Sequence, residues 1–147
     1  MSPVRRFDHV GITVDDLDAA TSFFLKLGLE QEGESQIVEG DWLDTVIGLD
    51  DARVEVVMLQ TPGGGTRLEL SKFHEPVDER GSEAAPANQL GLRNIAFAVD
   101  DIHATADRLK ADGFGLVGAV GVYEDIYRLC YVRGPEGIIV SLAERIT

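Results

Sequence analysis

One ten-residue pattern occurs twice in the sequence and decides the fold. Residues 8–17 read DHVGITVDDL and residues 93–102 read RNIAFAVDDI, an offset of 85 positions (94 − 9). In both segments apolar residues alternate with small or polar ones, which is typical of a β-strand with one buried face. The closing aspartate pair is suited to cap a following helix, because its side-chain oxygens accept hydrogen bonds from free backbone N–H groups. The repeat predicts two related modules joined head to tail.

The far ends of the two modules match as well. Residues 65–70 (GTRLEL) align with residues 137–142 (GIIVSL) at the shorter offset of 72 positions (141 − 69). Gly28 and Gly113 are suited to end the two predicted helices. The pattern in each module is βαβββ, with helices at 17–27 and 102–111 and, after each helix, strands around 31–36, 54–60 and 66–71, and around 116–120, 127–133 and 138–143. The PGGG segment at 62–65 predicts a hairpin turn.

Length and composition define the class of protein. A chain of 147 residues is suited to one domain, which we place at 1–147 with module one at about 5–74, a linker at about 75–88 and module two at about 89–147. Thirteen Lys and Arg against 26 Asp and Glu give a net charge of −13, which argues against nucleic acid or an anionic membrane as a partner. The sequence contains no apolar run of membrane-spanning length and no apolar signal core at its start, so we expect a cytoplasmic protein.

The chain resembles the vicinal oxygen chelate superfamily, the glyoxalase, bleomycin-resistance and extradiol-dioxygenase group. The two βαβββ modules, the DHVG motif at 8–11 and the GPEG motif at 134–137 carry this resemblance. It implies an α+β fold whose curved mixed sheets form a ligand-binding cup. It also implies a homodimer, with swapped and unswapped pairing of the modules both left open. A divalent metal would be held at the base of the cup by one residue from the first strand and one from the last strand of each module.

The resemblance places this metal site at His9, Glu69, Asn94 and Ser141. His9 and Glu69 are the residue types that bind divalent metals well, whereas an amide and a neutral hydroxyl are weak donors. Catalytic metal sites generally need three good protein ligands and an open position. The sequence therefore predicts a degenerate site that holds either no metal or a weakly bound divalent one, with His9 and Glu69 as its partial ligands.

Several other side chains are candidates for ligand contacts. Strand alternation places Arg67, Gly11, Thr13 and Ser71 on the same face as His9 and Glu69. Aromatic and polarizable side chains elsewhere are suited to a flat organic molecule. The predicted ligand-binding set is Trp42, Met58, Arg67, Asn94, Tyr123, Tyr127 and Ser141.

Three ionisable side chains are left outside the site. His74, after the last strand of module one, and His103, in the first turn of the second helix, are expected to face solvent. Glu144 lies an odd number of residues from Ser141, so alternation points it to the opposite face of its strand. It is therefore excluded as a substitute metal ligand.

Three functions remain open, so the sequence leaves undecided whether the protein is an enzyme. The first is binding of a small hydrophobic or aromatic molecule without a catalytic metal, which the loss of both module-two ligands favours. The second is a metal-dependent lyase, isomerase or dioxygenase of the glyoxalase type that uses His9 and Glu69. The third is metal-free acid–base chemistry, in which Glu69 transfers a proton with His9 as its partner.

Overall fold

The computed structural model describes residues 2–147, which divide into two compact units. Unit 1 ends at Gly81 and unit 2 is Ser82–Thr147. The division falls inside the segment 75–88, where the sequence predicts a linker. No helix among residues 2–147 is long and apolar enough to cross a membrane.

Unit 1 is a four-stranded mixed sheet with two helices. Its strands lie in the order β1-β4-β3-β2, with β1 parallel to β4 and the other neighbours antiparallel. The elements are β1 (His9–Thr13), α1 (Leu17–Leu27), β2 (Glu30–Glu39), α2 (Asp41–Ile47), β3 (Arg53–Gln60) and β4 (Arg67–Glu75).

Unit 2 repeats this sheet with one helix. Its strands lie in the order β5-β8-β7-β6, again with the first and last strands of the unit parallel. The elements are β5 (Asn94–Ala98), α3 (Ile102–Ala111), β6 (Gly121–Tyr123), β7 (Tyr127–Arg133) and β8 (Ile139–Arg145), with a 3-10 turn at Pro135–Gly137. The predicted α+β class and the βαβββ repeat are confirmed.

The aspartate pairs cap the helices as predicted. Asp16 Oδ1 accepts a hydrogen bond from the Ala19 N–H at 3.0 Å, and Asp101 Oδ1 accepts the equivalent bond from Ala104 at 3.0 Å. Gly28 follows α1 with φ +126°, a conformation that glycine adopts without strain. The two helices therefore begin at equivalent residues because the same cap chemistry is repeated 85 positions apart.

Each sheet buries one face beneath its helix. In unit 1 the α1 residues Phe23 and Phe24 are fully buried, and α1 contacts β4, whose Leu70 is also fully buried. In unit 2 the α3 residues Ile102 and Leu109 are buried, and α3 contacts β7 and β8. Residues one position along each strand point to the opposite face, so the other face of each sheet is not covered by this helix.

Two local predictions are wrong. The helix α2 was not expected, because its seven residues between Gly40 and Gly48 are too few to show a helical period. The strand expected around 116–120 is absent. Leu116 forms a single bridge to Val132, and the strand begins at Gly121 instead. Gly118 lies within the predicted strand and has no side chain to pack on a sheet.

Candidate functional site

His9 and Glu69 lie side by side on the open face of the unit 1 sheet. The parallel register of β1 and β4 places Gly11 beside Glu69, so that His9 is a diagonal neighbour two residues earlier on β1. His9 Nε2 lies 3.7 Å from Glu69 Oε2, and the two side chains are 38% and 30% exposed. The predicted pairing of these two residues is thus present, and both groups are accessible to a ligand.

Asp8 orients the His9 ring. Asp8 Oδ2 lies 2.7 Å from His9 Nδ1. This hydrogen bond, assisted by the charges of Arg6 and Arg67, holds the pKa of Asp8 below its ordinary value of 3.8. An ionised carboxylate accepts hydrogen bonds and donates none, so His9 Nδ1 is the donor in this contact. His9 Nε2 is the ring nitrogen that lies beside Glu69. Asp8 is not among the residues predicted from the sequence, although it opens the DHVG motif.

Arg67 is held by two carboxylates. It pairs with His9 in the strand register. Its Nη2 lies 3.3 Å from Asp8 Oδ2, and its Nη1 lies 3.4 Å from Glu32 Oε1. The positive charge of Arg67 is therefore balanced by Asp8 and Glu32. Neither of these two ion pairs involves Glu69.

A cavity of about 410 Å³ adjoins Glu69 in unit 1. Two of the polar side chains that the sheet contributes to its lining are connected, because Ser71 Oγ donates to Glu69 Oε1 at 3.3 Å. α2 contributes Trp42, Leu43 and Ile47 to the lining, and Trp42 is 61% exposed. The lining residues are Gly11, Ile12, Thr13, Val38, Trp42, Leu43, Ile47, Val54, Val56, Glu69, Ser71 and Phe73.

The remaining unit 1 candidate, Met58, lies directly opposite Glu69 in the β3–β4 register. It is not among the residues that line the cavity. Unit 1 therefore brings His9, Glu69, Arg67 and Trp42 to one region, with Met58 as the cross-strand neighbour of Glu69.

Unit 2 carries neutral side chains at the matching positions. Asn94 Nδ2 donates to Tyr131 Oη at 3.4 Å, and Tyr131 lies directly opposite the buried Ser141 in the β7–β8 register. Tyr131 thus occupies in unit 2 the place that Met58 occupies in unit 1. The sequence analysis missed it, because a tyrosine within a strand is equally typical of packing.

The other two tyrosines lie at the β6–β7 hairpin. Tyr123 and Tyr127 are paired in the strand register. Tyr123 is 52% exposed, and the Arg145 guanidinium lies 5.9 Å from the centre of the Tyr127 ring. Neither tyrosine lines the unit 1 cavity.

The side chains of residues 2–147 do not fit the metal site that the resemblance implies. Among them, no group of three or more His, Cys, Asp and Glu side chains is placed to hold a metal ion. His9 and Glu69 supply two good donors, whereas Asn94 uses its amide nitrogen as a donor to Tyr131. The donor chemistry is that of half a site.

Glu144 and His74 have structural partners. Glu144 Oε1 accepts a hydrogen bond from the Ile102 N–H at 2.8 Å, and its other oxygen binds Arg128. Its exclusion as a metal ligand agrees with these contacts. The expectation that His74 faces solvent is wrong: its Nε2 lies 3.0 Å from Glu55 Oε1, and both side chains are about two-thirds buried. Strand β4 extends to Glu75, so His74 belongs to the sheet. His103 is exposed as expected.

Comparison with known proteins agrees with this architecture. The chain is 45% identical to a glyoxalase family protein from Bacillus cereus, whose crystal structure superposes with a TM-score of 0.91 over 99% of this chain and 97% of that one. It is 32% identical to 2-epi-5-epi-valiolone epimerase from an Actinomyces species over 70% of this chain, an alignment that spans 56% of the epimerase. It is 24% identical to a probable lactoylglutathione lyase from Vibrio parahaemolyticus over 95% of this chain and 90% of the lyase.

A family model decides the assignment. The model of the Glyoxalase/Bleomycin resistance protein/Dioxygenase superfamily matches residues 6–142, which is nearly the whole chain. The match includes strands β1 to β7, the first part of β8 and every predicted site residue. The chain therefore belongs to the glyoxalase/bleomycin resistance protein/dioxygenase superfamily.

Proposed function

We propose that the protein binds a small, largely apolar molecule in the unit 1 cavity without a catalytic metal. The cavity itself carries this proposal. Its walls are mainly aliphatic and aromatic, and its hydrogen-bonding side chains on the sheet are Thr13, Glu69 and Ser71, of which the last two are connected to each other. Small-molecule sites in proteins have this composition, in which apolar walls supply affinity and a few polar groups fix orientation.

The half metal site supports a metal-free mode of binding. With only two strong donors present, a bound metal would require the ligand to complete most of its coordination shell. A ligand hydroxyl or amine can instead donate directly to the Glu69 carboxylate. Trp42 is suited to cover a flat ligand, because it lies on α2 at the cavity wall and remains largely exposed.

Binding can be tested with Nile red, a neutral dye whose emission rises in apolar surroundings. Val56 lines the cavity, so the V56F variant should fill part of it and raise the Kd for the dye by about tenfold or more. V46F is the matched control, because Val46 lies on α2 with 73% of its surface exposed. Equal affinities of the two variants would contradict the proposed site.

A second candidate is proton transfer to and from a carbon atom of the ligand. Two observations favour it: the 3.7 Å separation of His9 Nε2 and Glu69 Oε2, and the likeness to an epimerase. Epimerisation beside a carbonyl needs a base to remove a proton and an acid to return one. Glu69 would remove the proton as the base, and His9, oriented by Asp8, would return a proton from Nε2 as the acid in its protonated form.

Solvent exchange separates this candidate from simple binding. Cyclic hydroxyketones would be incubated with the protein in D₂O and excess chelator, and deuterium uptake followed by NMR. Acid–base chemistry predicts uptake that the chelator does not affect and that falls by at least about a hundredfold in E69Q. Wild-type protein that binds the ketones without deuterium uptake would leave binding as the function.

A further inference from the structure

We propose that the unit 1 cavity prefers an organic cation, namely an amine in its ammonium form on an apolar body. Glu69 would be the residue that recognises the ammonium group. This preference rests on the function proposed above, because it concerns the ligand of the same cavity.

Glu69 places a carboxylate at the cavity. Among the residues of 2–147 that line the cavity, it alone carries an ionisable group. Its Oε1 accepts a hydrogen bond from Ser71 Oγ at 3.3 Å, whereas His9 Nε2 lies 3.7 Å from its Oε2, which is beyond hydrogen-bond distance. A carboxylate has about four acceptor positions, so Glu69 can accept further hydrogen bonds from a ligand.

The arginines of this region are bound to other carboxylates. Arg6 Nη2 lies 2.9 Å from Asp8 Oδ1. Arg67 is held by Asp8 and Glu32. Two guanidinium groups therefore face three carboxylates, and the carboxylate that they leave without a guanidinium partner is that of Glu69.

An unpaired carboxylate favours a cationic ligand. A neutral ligand would remove water from Glu69 without supplying an opposite charge, which is unfavourable. An ammonium group supplies that charge together with N–H donors, and charge-assisted hydrogen bonds are the stronger kind. Trp42 and Phe73 also line the cavity, and aromatic faces attract cations. The net charge of −13 further raises the local concentration of cations.

Three ligands with the same apolar body test the preference. They are phenethylamine, phenethyl alcohol and phenylacetate, which carry an ammonium, a hydroxyl and a carboxylate group. Each would be titrated into ¹⁵N-labelled protein with excess chelator, and the amide signals of Gly11 and Phe73 would report on the cavity. We expect the Kd of the amine to be lower than that of the alcohol by about fivefold or more, and the Kd of phenylacetate to be the highest.

E69Q tests the residue that carries the preference. In this variant the ratio of the alcohol Kd to the amine Kd should fall to about one, because the glutamine amide has no charge. E39Q is the matched control, since it removes the same charge from unit 1. Glu39 follows the lining residue Val38 on β2, does not line the cavity itself and has a side chain that is 60% exposed. The ratio should keep its wild-type value in E39Q.

Equal Kd values of the amine and the alcohol in the wild type would overturn the preference, and so would a ratio in folded E69Q that equals the wild-type ratio. If E69Q is unfolded by circular dichroism, the order of the three ligands in the wild type decides the question. If Nile red alone shifts the signals of Gly11 and Phe73, only the preference for a cation is wrong. If neither Nile red nor any of the three ligands shifts them, the proposed function is wrong as well.

Discussion

Unit 1 and unit 2 have the same strand order but opposite chemistry on their open faces. At matched places unit 1 has His9 and Glu69, whereas unit 2 has Asn94 and Ser141. The buried faces, by contrast, are apolar in both units. The fold depends on the buried apolar pattern and the helix caps, so the exposed face can change from ionisable to neutral without altering the topology.

A second matched pair shows how each unit holds the start of its helix. Lys72 in unit 1 donates to the carbonyl of Asp15, whereas Glu144, 72 positions later, accepts from the N–H of Ile102. Both contacts run from the last strand of a unit to the segment where its helix begins. The same tertiary connection is therefore made with opposite charges.

The largest expected effect comes from giving unit 2 the ligands of unit 1. The N94H/S141E double variant places an imidazole and a carboxylate at the two unit 2 positions that the resemblance assigns to metal ligands. We expect bound metal to rise from less than about a tenth of an equivalent in the wild type to about one in the variant, with nickel, manganese, iron or zinc. Elemental analysis after gel filtration measures this.

The wild-type protein is the informative comparison in that experiment. If it holds about one equivalent of metal by itself, His9 and Glu69 suffice as protein ligands and the metal-free proposal is wrong. Metal-dependent lyase, isomerase and dioxygenase substrates would then be tested with that metal present.

The next largest effect concerns two matched glycines, Gly65 and Gly137. Both have positive φ, +98° and +79°, so alanine is strained at either position. A Cβ on Gly65 meets open space, whereas a Cβ on Gly137 would lie 2.1 Å from the Glu83 carbonyl oxygen. G65A should lower the free energy of unfolding by about 1 kcal/mol and G137A by more than about 3 kcal/mol, measured by urea denaturation. Equal losses of unfolding free energy in G65A and G137A would show that the backbone at Glu83 moves away from the new Cβ without destabilising the fold.

A smaller effect distinguishes Glu144 from Lys72. The Ile102 N–H, with help from Arg128, holds the pKa of Glu144 below its ordinary value of 4.5. A lowered carboxylate pKa stabilises the fold above that ordinary value, and the contribution is lost as the pH falls through the folded-state pKa. E144Q should therefore lower the thermal midpoint at about pH 7, and its difference from the wild type should shrink as the pH falls below 4.5.

K72M is the matched variant for this comparison. Lys72 pairs with Asp15, whose side chain is 85% exposed, so its loss should cost less than about 1 kcal/mol at pH 7. If K72M lowers the thermal midpoint at pH 7 more than E144Q does, the expected order of the two contributions, with Glu144 above Lys72, is wrong.

The smallest effect is on the proton position in His9. D8A removes the acceptor of the Nδ1 proton, so we expect the Nε2–H tautomer to become dominant, as in a free imidazole. Long-range ¹⁵N–¹H NMR of the ring distinguishes the tautomers. R6M leaves the Asp8 carboxylate in place and should keep the Nδ1–H form. The same tautomer in D8A and wild type would show that Asp8 does not orient the ring.

The sequence predicted the fold well because the fold depends on local signals. Strand alternation, the aspartate caps and the 85-residue offset each act over a few residues, and all recur in the second module. α2 carries no such signal, since only Leu43 among its seven residues is buried. The cavity wall that α2 forms was consequently not predictable.

The site was predicted in part for a similar reason. His9 and Glu69 follow from strand register and alternation, which are regular. The roles of Asp8 and Tyr131 depend instead on side-chain distances of 2.7 Å to His9 and 3.4 Å to Asn94. A sequence gives residue types and faces but not such distances, so these two residues could be recognised only in the folded chain.

The contacts of the turn at Pro135–Gly137 determine where the chain can be divided into two fragments. Glu83 lies against Gly137, and Arg133 Nη1 donates to the Ala85 carbonyl at 2.6 Å. Ala85 itself is buried. A fragment that begins at residue 89, the module boundary expected from the sequence, would lack the segment that contains Glu83 and Ala85. The Arg133 guanidinium would then lose the Ala85 carbonyl as an acceptor. Fragments for split-protein complementation should therefore be divided just after Arg80, whose side chain is 90% exposed. The segment that contains Glu83 and Ala85 then stays with unit 2.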